Sequence, residues 1–233
     1  MNREDKFLLI RNYDLWCHLS DEEYEALDIA HHFLEAKKGE YIYFDSHHLN
    51  KLYFLKDGYI KIGYIDESGN EIIKEIIKEG ELFGQFSLER NNLNGEFARA
   101  YKKDVSLCAF SIEDFEKLLK KNPDLAIKYS KQVGEKLRRA EFRLLSMLHK
   151  DVRSRLIAFF YQLAVMDGYD GSSPAWTLDN FMTHDDIGKL IGSSRQTATT
   201  FINQLEEEGL IKISRKKILI PDVKKLQQLV VVS

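Results

Sequence analysis

Between Thr183 and Ile220 the chain runs through two sets of helix signals, each closed by a glycine, and then two short β runs around a cation cluster. Thr183-His184-Asp185-Asp186 is a T-x-x-D cap leading into Ile187, Leu190 and Ile191, which share one face of a short helix. Gly192 breaks that helix. Ser193 or Ser194 can cap the next, with Gln196 available for the reciprocal capping bond. The second helix is predicted from Arg195 to about Glu208, burying Ala198, Phe201, Ile202 and Leu205, with Gly209 at the C′ position. Leu210–Ile213 and Ile218–Ile220 then read as strands flanking Ser214-Arg215-Lys216-Lys217. A helix, a tight turn, a second helix and a wing leave few alternatives for this end of the chain.

The exposed chemistry of that segment suits DNA. The second helix is predicted to present Ser194, Arg195, Gln196, Thr199 and Thr200 at its start. Arginine pairs bidentately with guanine O6 and N7, and glutamine with adenine N6 and N7. Capped amides and the cations of the turn can hold phosphates, which fixes register without reading sequence. The competing reading is a small protein-interaction domain with a solvated basic turn. Small polar residues at the helix start, where that reading needs an apolar patch, favour DNA. The net charge of −3 does not oppose this, because a DNA reader needs only local positive charge. Residues 151–233 hold ten Lys/Arg and ten Asp/Glu, but cations gather at Arg195 and at Lys212, Arg215, Lys216 and Lys217, and acids at Glu206, Glu207 and Glu208.

Upstream the texture changes twice. Residues 15–36 read as one or two amphipathic helices, with Ser20 as a cap followed by Asp21, Glu22 and Glu23. From about 37 to 110, short β runs alternate with glycine-containing turns: Tyr41–Phe44, Lys51–Leu55, Tyr59–Tyr64, Glu71–Ile77 and Val105–Phe110. That spacing indicates a sandwich or barrel. Ser111 to Asp114 opens a short helix ending near Asn122-Pro123, and a long helix is predicted from Pro123 to His149. In it Ala126, Val133, Ala140 and Met147 repeat every seven residues, with Leu137 and Leu144 between. Such a seam argues for a two-stranded coiled coil; the alternative is a helix packed on its own domain. Another helix follows Asp151 to about Met166, then a loop over 168–180 with a short strand around Trp176.

No stretch reaches the roughly 20 apolar residues of a membrane helix, and the charged start lacks a signal-peptide core, so no membrane partner and a cytoplasmic location are expected. Two cysteines, Cys17 and Cys108, without a CxxC partner, are expected to be inert thiols. The pairs His31-His32 and His47-His48 are not spaced to share a metal on one helix face, and His18 and His149 stand alone; neither a metal nor another cofactor is expected.

Lys56-Asp57-Gly58-Tyr59-Ile60-Lys61, Gly80-Glu81-Leu82-Phe83-Gly84-Gln85-Phe86-Ser87-Leu88, Asn122-Pro123-Asp124, Asp186-Ile187-Gly188 and Ser194-Arg195-Gln196-Thr197 resemble the family of the cyclic-AMP receptor protein and the oxygen regulator FNR, along nearly the whole chain. The resemblance implies an α+β protein: a cyclic-nucleotide-binding-type β jelly roll over residues 1–122, a dimerisation helix over 123–150 and a winged helix-turn-helix over 151–233. It implies a homodimeric transcription regulator, not an enzyme, with double-stranded DNA and RNA polymerase as partners and a small-molecule effector of unknown identity. Candidate DNA contacts are Thr183, Ser194, Arg195, Gln196, Thr197, Thr199, Thr200, Arg215, Lys216 and Lys217. Arg195 takes the position of the family's guanine-reading arginine, whereas Gln196 and Thr200 replace a glutamate and an arginine and predict a different half-site. Candidate dimer contacts are Val133, Leu137, Ala140, Leu144 and Met147.

The candidate effector pocket comprises Gly84, Gln85, Gly95, Glu96, Ala98, Ala140 and Glu141. By the resemblance, Gln85 stands for a glutamate that takes the ribose, and Gly95 and Glu96 for the Arg-Ser pair that grips the cyclic phosphate. Without the arginine a bidentate phosphate contact is lost, and Glu96 adds repulsion, so cyclic AMP is not the expected effector. Two alternatives stay open: a cupin-like metalloenzyme with an appended regulatory domain, and an effector-free regulator that binds DNA constitutively.

Overall fold

The computed structural model describes residues 13, 15–16, 20, 22, 31–44, 50–84 and 95–232. The chain divides into two compact units, Met1–Lys136 and Leu137–Ser233. In the first unit, strands β1 (His31–Ala36), β2 (Tyr41–Phe44), β3 (Lys51–Ile65), β4 (Glu71–Lys78), β5 (Leu82–Gly84) and β6 (Glu96–Ser111) form one antiparallel sheet. The order is β1-β6-β3-β4, with β2 also on β6 and β5 also on β3.

The long β3–β6 pair sorts its side chains into two cores by the strand period of two. Leu52, Phe54, Cys108 and Phe110 pack with Ile112, Phe115 and Leu118 of helix α1 (Ile112–Lys121) and with Leu125 and Tyr129 at the start of helix α2 (Pro123–His149). Tyr53, Leu55, Leu107 and Ala109 take the opposite face, in the cluster that holds Ile60, Ile62, Ala98 and Ala100. Odd-numbered Leu55 and even-numbered Ile60 reach one cluster because the register shifts on both sides of Asp57. This corrects the sequence expectation of two strands, Lys51–Leu55 and Tyr59–Tyr64, joined by a turn. Gly58, at φ +100°, instead absorbs a bulge within one strand that β6 pairs on both sides.

A second correction concerns residues 31–36, expected as the end of a helix. They form β1, paired from His31 with Phe110 to Ala36 with Val105. Strand pairing across the sheet overrides the local pattern. Most of the helical expectation for residues 15–30, including the acids after Ser20, lies outside the described residues, as do Cys17, His18, Gln85 and His47-His48. Cys108 is buried, and burial pushes its thiol up to about 12, which leaves no reactive thiolate at neutral pH.

Helix α1 is capped by Ser111, which accepts from the Asp114 amide at 3.1 Å. Along α2 the heptad residues divide. Val133 packs against the β-domain core, Met147 is half-buried, and Leu137 and Leu144 are 60% and 58% exposed. Ala140 and Glu141 are exposed too.

The second unit contains α3 (Val152–Met166), β7 (Trp176–Asp179), α4 (His184–Leu190), α5 (Arg195–Glu207), β8 (Lys212–Ile213), β9 (Lys217–Ile220) and α6 (Val223–Val232). Asp151 caps α3 by accepting from the Ser154 amide at 2.7 Å, and α3 packs against α5 and α6. The strands form a sheet in the order β7-β9-β8, so the strand expected around Trp176 is present and braces the wing. No helix of the described residues is long and apolar enough to cross a membrane.

A Cβ added at Gly58 would lie 2.7 Å from Val105 Cγ1 and 3.0 Å from the Asp104 carbonyl oxygen, at a φ that side chains resist. Gly58→Ala should therefore destabilise the protein by about 1–3 kcal/mol, read as a lowered midpoint in thermal or urea unfolding.

Candidate nucleic-acid interface

The geometry of the helix pair comes from its caps. Thr183 Oγ1 accepts from the Asp186 amide at 3.2 Å, and the Asp186 carboxylate accepts from the Thr183 amide at 2.8 Å and from its hydroxyl at 2.6 Å. The expected capping box is therefore closed, and Asp186 is 2% exposed. At the other end the Gly192 amide donates to Lys189 O and the Ser193 amide to Gly188 O. With Gly192 at φ +66°, this is a Schellman closure. Gly188 allows the turn to cross close to the helix: a Cβ there would lie 3.1 Å from the carbonyl oxygens of both Ser193 and Ser194. Helix α5 ends in the same way. Gly209 (φ +69°) donates to Glu206 O and Leu210 donates to Leu205 O.

Of the two possible caps for α5, the structure uses Ser194, whose hydroxyl accepts from the Thr197 amide at 3.1 Å. The reciprocal position is therefore Thr197, its hydroxyl 2.9 Å from that of Ser194, and not Gln196 as expected. Gln196 is thereby left out of the cap and exposed. Ser194, Arg195, Gln196 and Thr200 are all exposed, opposite buried Ala198, Ile202 and Leu205.

Thr199 departs from the expected exposed face: it is half-buried, with its hydroxyl 3.1 Å from His184 Nδ1. Thr199 already donates to Arg195 O at 2.8 Å, so the single hydroxyl proton is used and His184 Nδ1 is the donor. Thr200 donates to Gln196 O at 3.1 Å and keeps acceptor capacity outward. His184 was missed by sequence reasoning, since nothing local links it to a residue fifteen positions on.

The wing is built around Ser214. Its amide and hydroxyl both donate to Lys217 O (2.8 and 3.0 Å), and the hydroxyl accepts from the Lys217 amide at 3.0 Å. Asn180 clamps the turn, its amide donating to Lys216 O and its side chain to Ser214 O. Arg215, Lys216 and Lys217 are exposed, but Lys217 Nζ lies 2.8 Å from Asp179 Oδ1.

In the first unit, Gly84 (φ +94°) ends β5, and a Cβ there would lie 2.7 Å from Lys51 O. Gly95 precedes β6 at φ +78°, and Ala98 is buried. Glu96 is 1% exposed and accepts from Tyr43, Tyr64 and Lys74. Arg99 lies on the opposite face of β6 from Glu96 and Ala98, ion-paired with Glu71 and set against the rings of Tyr41 and Phe97. Among the described residues no group of three or more His, Cys, Asp or Glu converges as a metal site.

An antiparallel β domain, a long helix and a winged helix-turn-helix together define a DNA-binding regulator with an attached sensor-type domain. Residues 33–122 match the family model of the cyclic nucleotide-binding domain, and residues 154–229 that of the Crp-like helix-turn-helix domain. The global nitrogen regulator of Nostoc sp. (strain PCC 7120) is 30% identical over 185 residues, 79% of this chain and 82% of that protein. The cAMP-activated global transcriptional regulator CRP of Pasteurella multocida is 26% identical over 170 residues, 72% of this chain and 80% of that one. A CooA mutant from Carboxydothermus hydrogenoformans shares the fold at TM-score 0.74 and 20% identity, over 96% of this chain and 95% of that one. FixK2 from Bradyrhizobium japonicum does so at TM-score 0.71 and 20% identity, over 85% and 96%.

The chain belongs to the CRP/FNR family of transcription regulators, as its motifs implied. Its relatives are regulators and not enzymes, which removes the metalloenzyme alternative.

Replacing the cap of α5, Ser194→Ala, should cost about 1 kcal/mol in urea unfolding, whereas Ser194→Thr should cost less than half of that.

Proposed function

We propose that this chain is a cytoplasmic, homodimeric, sequence-specific DNA-binding regulator whose β domain does not take cyclic AMP. The observation that carries the reading is the capped start of α5, which turns Arg195 and Gln196 to solvent above an apolar face. Arg195 would read guanine and Gln196 adenine, with Thr200 beside them and Ser194 and Thr197 holding the first turn. Arg215 and Lys216 would contact phosphates. Lys217 would contribute less, since Asp179 already neutralises it.

The dimer reading is supported by the apolar residues that α2 leaves uncovered. Beside Leu137 and Leu144, Leu145 and Leu148 are 56% and 65% exposed. Burying such a side chain contributes roughly 1.5–3 kcal/mol, and a second copy of the same helix offers a matching stripe. Two reading helices would then meet half-sites about 34 Å apart. RNA polymerase is the partner implied for a regulator of this kind.

Absence of a cyclic-AMP response is supported by Glu96, whose carboxylate sits in the domain interior, and by Arg99, which faces away from it and is held by Glu71. The relatives include both a nitrogen regulator and a cAMP-activated one, so kinship does not name an effector for this chain.

Arg195→Ala should weaken binding to the native promoter by about 5- to 150-fold in fluorescence anisotropy, with binding to unrelated DNA far less affected. Unchanged promoter affinity in a folded variant would show that α5 is not the reading helix. Leu144→Glu should sediment as a monomer and lose promoter affinity. Cyclic AMP and cyclic GMP should give no heat in calorimetric titration.

A further inference from the structure

Two carboxylates are buried among the described residues. Asp186 closes the α4 cap; Glu96 has no part in any helix end. It opens β6 on the face shared with Ala98 and Ala100, inside the β domain. Its Oε1 accepts from the Tyr43 hydroxyl at 2.8 Å, and its Oε2 from the Tyr64 hydroxyl at 3.0 Å and from Lys74 Nζ at 2.7 Å. Burying an ionised carboxylate is costly unless donors and a counter-charge converge on it, and here all three do.

The donors are brought in by the backbone. Tyr64 stands directly across the β3–β6 ladder from Glu96. Lys74 enters through a bulge: Ile62 pairs with Glu75 and the next residue, Gly63, with Ile73, so Lys74 is the extra residue of β4. The bulge requires glycine opposite, because a Cβ at Gly63 would lie 2.2 Å from the Ile72 carbonyl oxygen. Burial and the negative charge of Glu96 raise the Tyr43 hydroxyl far above its ordinary value, which keeps it a donor. Burial works against the Lys74 ammonium, but its hydrogen bond and attraction to Glu96 prevail and hold it above the usual lysine value. On the next residue of the same bulge, Glu75 Oε2 accepts from Lys136 Nζ of α2 at 2.8 Å.

Two phenols and an ammonium around one carboxylate are what a receptor for a small organic anion presents. We propose that Glu96 is a tethered ligand: the β domain carries a carboxylate cradle filled by the chain's own side chain, and the bulge at Lys74-Glu75 links its occupancy to Lys136 on the long helix. The cradle supplies from within the anion that a diffusible effector would bring. Only the DNA readout below rests on the regulator reading.

Glu96→Ala removes the equivalent of one acetate from the cradle, so acetate is the probe. In the full-length protein E96A should unfold at lower temperature. Sodium acetate should restore much of the loss relative to sodium chloride at equal ionic strength, with no acetate-specific shift in the wild type or in E96A combined with Lys74→Met. Absence of an acetate-specific shift in folded E96A, or an equal shift with Lys74→Met, overturns the cradle.

The link to the helix is tested by a double-mutant cycle of Glu96→Gln and Lys136→Met, which also decides the matter if E96A does not fold. Promoter affinities should depart from additivity by about threefold or more, and unfolding midpoints should be non-additive too. Additive effects in both readouts overturn the link. If the wild type itself ignores promoter DNA, the regulator reading fails while the unfolding data still judge the cradle.

Discussion

The ladder between β3 and β6 is the constraint on which the first unit depends. β1 and β2 attach to β6, and β4 and β5 to β3, so each reaches the sheet through one of the two long strands. The bulges around Asp57 exchange the faces of β3 partway along it. Even-numbered side chains of β3 thereby face α1 and α2 in one stretch (Leu52, Phe54) and line the β-domain interior in the next (Ile60, Ile62). Tyr64 and Glu96, paired directly across the ladder beyond the exchange, therefore both turn to the interior and meet there.

In the second unit the same economy is achieved by helix ends. Both α4 and α5 begin with a hydroxyl cap and end with a Schellman glycine, so the turn between them is fixed by backbone hydrogen bonds at the α4 end and by the Ser194 hydroxyl at the α5 end. The close crossing at Gly188 sets how α5 leaves that turn. Which side chains of α5 face outward then follows from the helical period, since Ala198, Ile202 and Leu205 must face the core.

What was legible in the sequence is what local chemistry decides. The Thr183 cap, Gly209 at the end of α5 and the limits of α2 and α3 all depend on neighbours a few residues away, and each lies where local chemistry puts it. The errors lie where a distant partner decides. Residues 31–36 became a strand because β6 was there to pair. Asp57-Gly58 became a bulge because β6 runs past it. Gln196 left the cap because, of two adjacent serines, the second was used. The donors to Glu96 are likewise beyond any spacing rule, since Tyr43, Tyr64 and the bulged Lys74 lie 53, 32 and 22 positions from it.

The ion pair of Lys217 with Asp179 has a consequence for salt dependence. A cation bathed only by solvent releases a condensed counterion from DNA when it meets a phosphate, and each such release steepens the fall of affinity with added salt. Lys217 already has its counter-charge on β7, so meeting a phosphate would exchange a protein-borne partner for a DNA-borne one and leave Asp179 without its cation. Arg215 and Lys216 would thus set the electrolyte sensitivity of the wing, while Lys217 lends it stiffness across the β7–β9 edge.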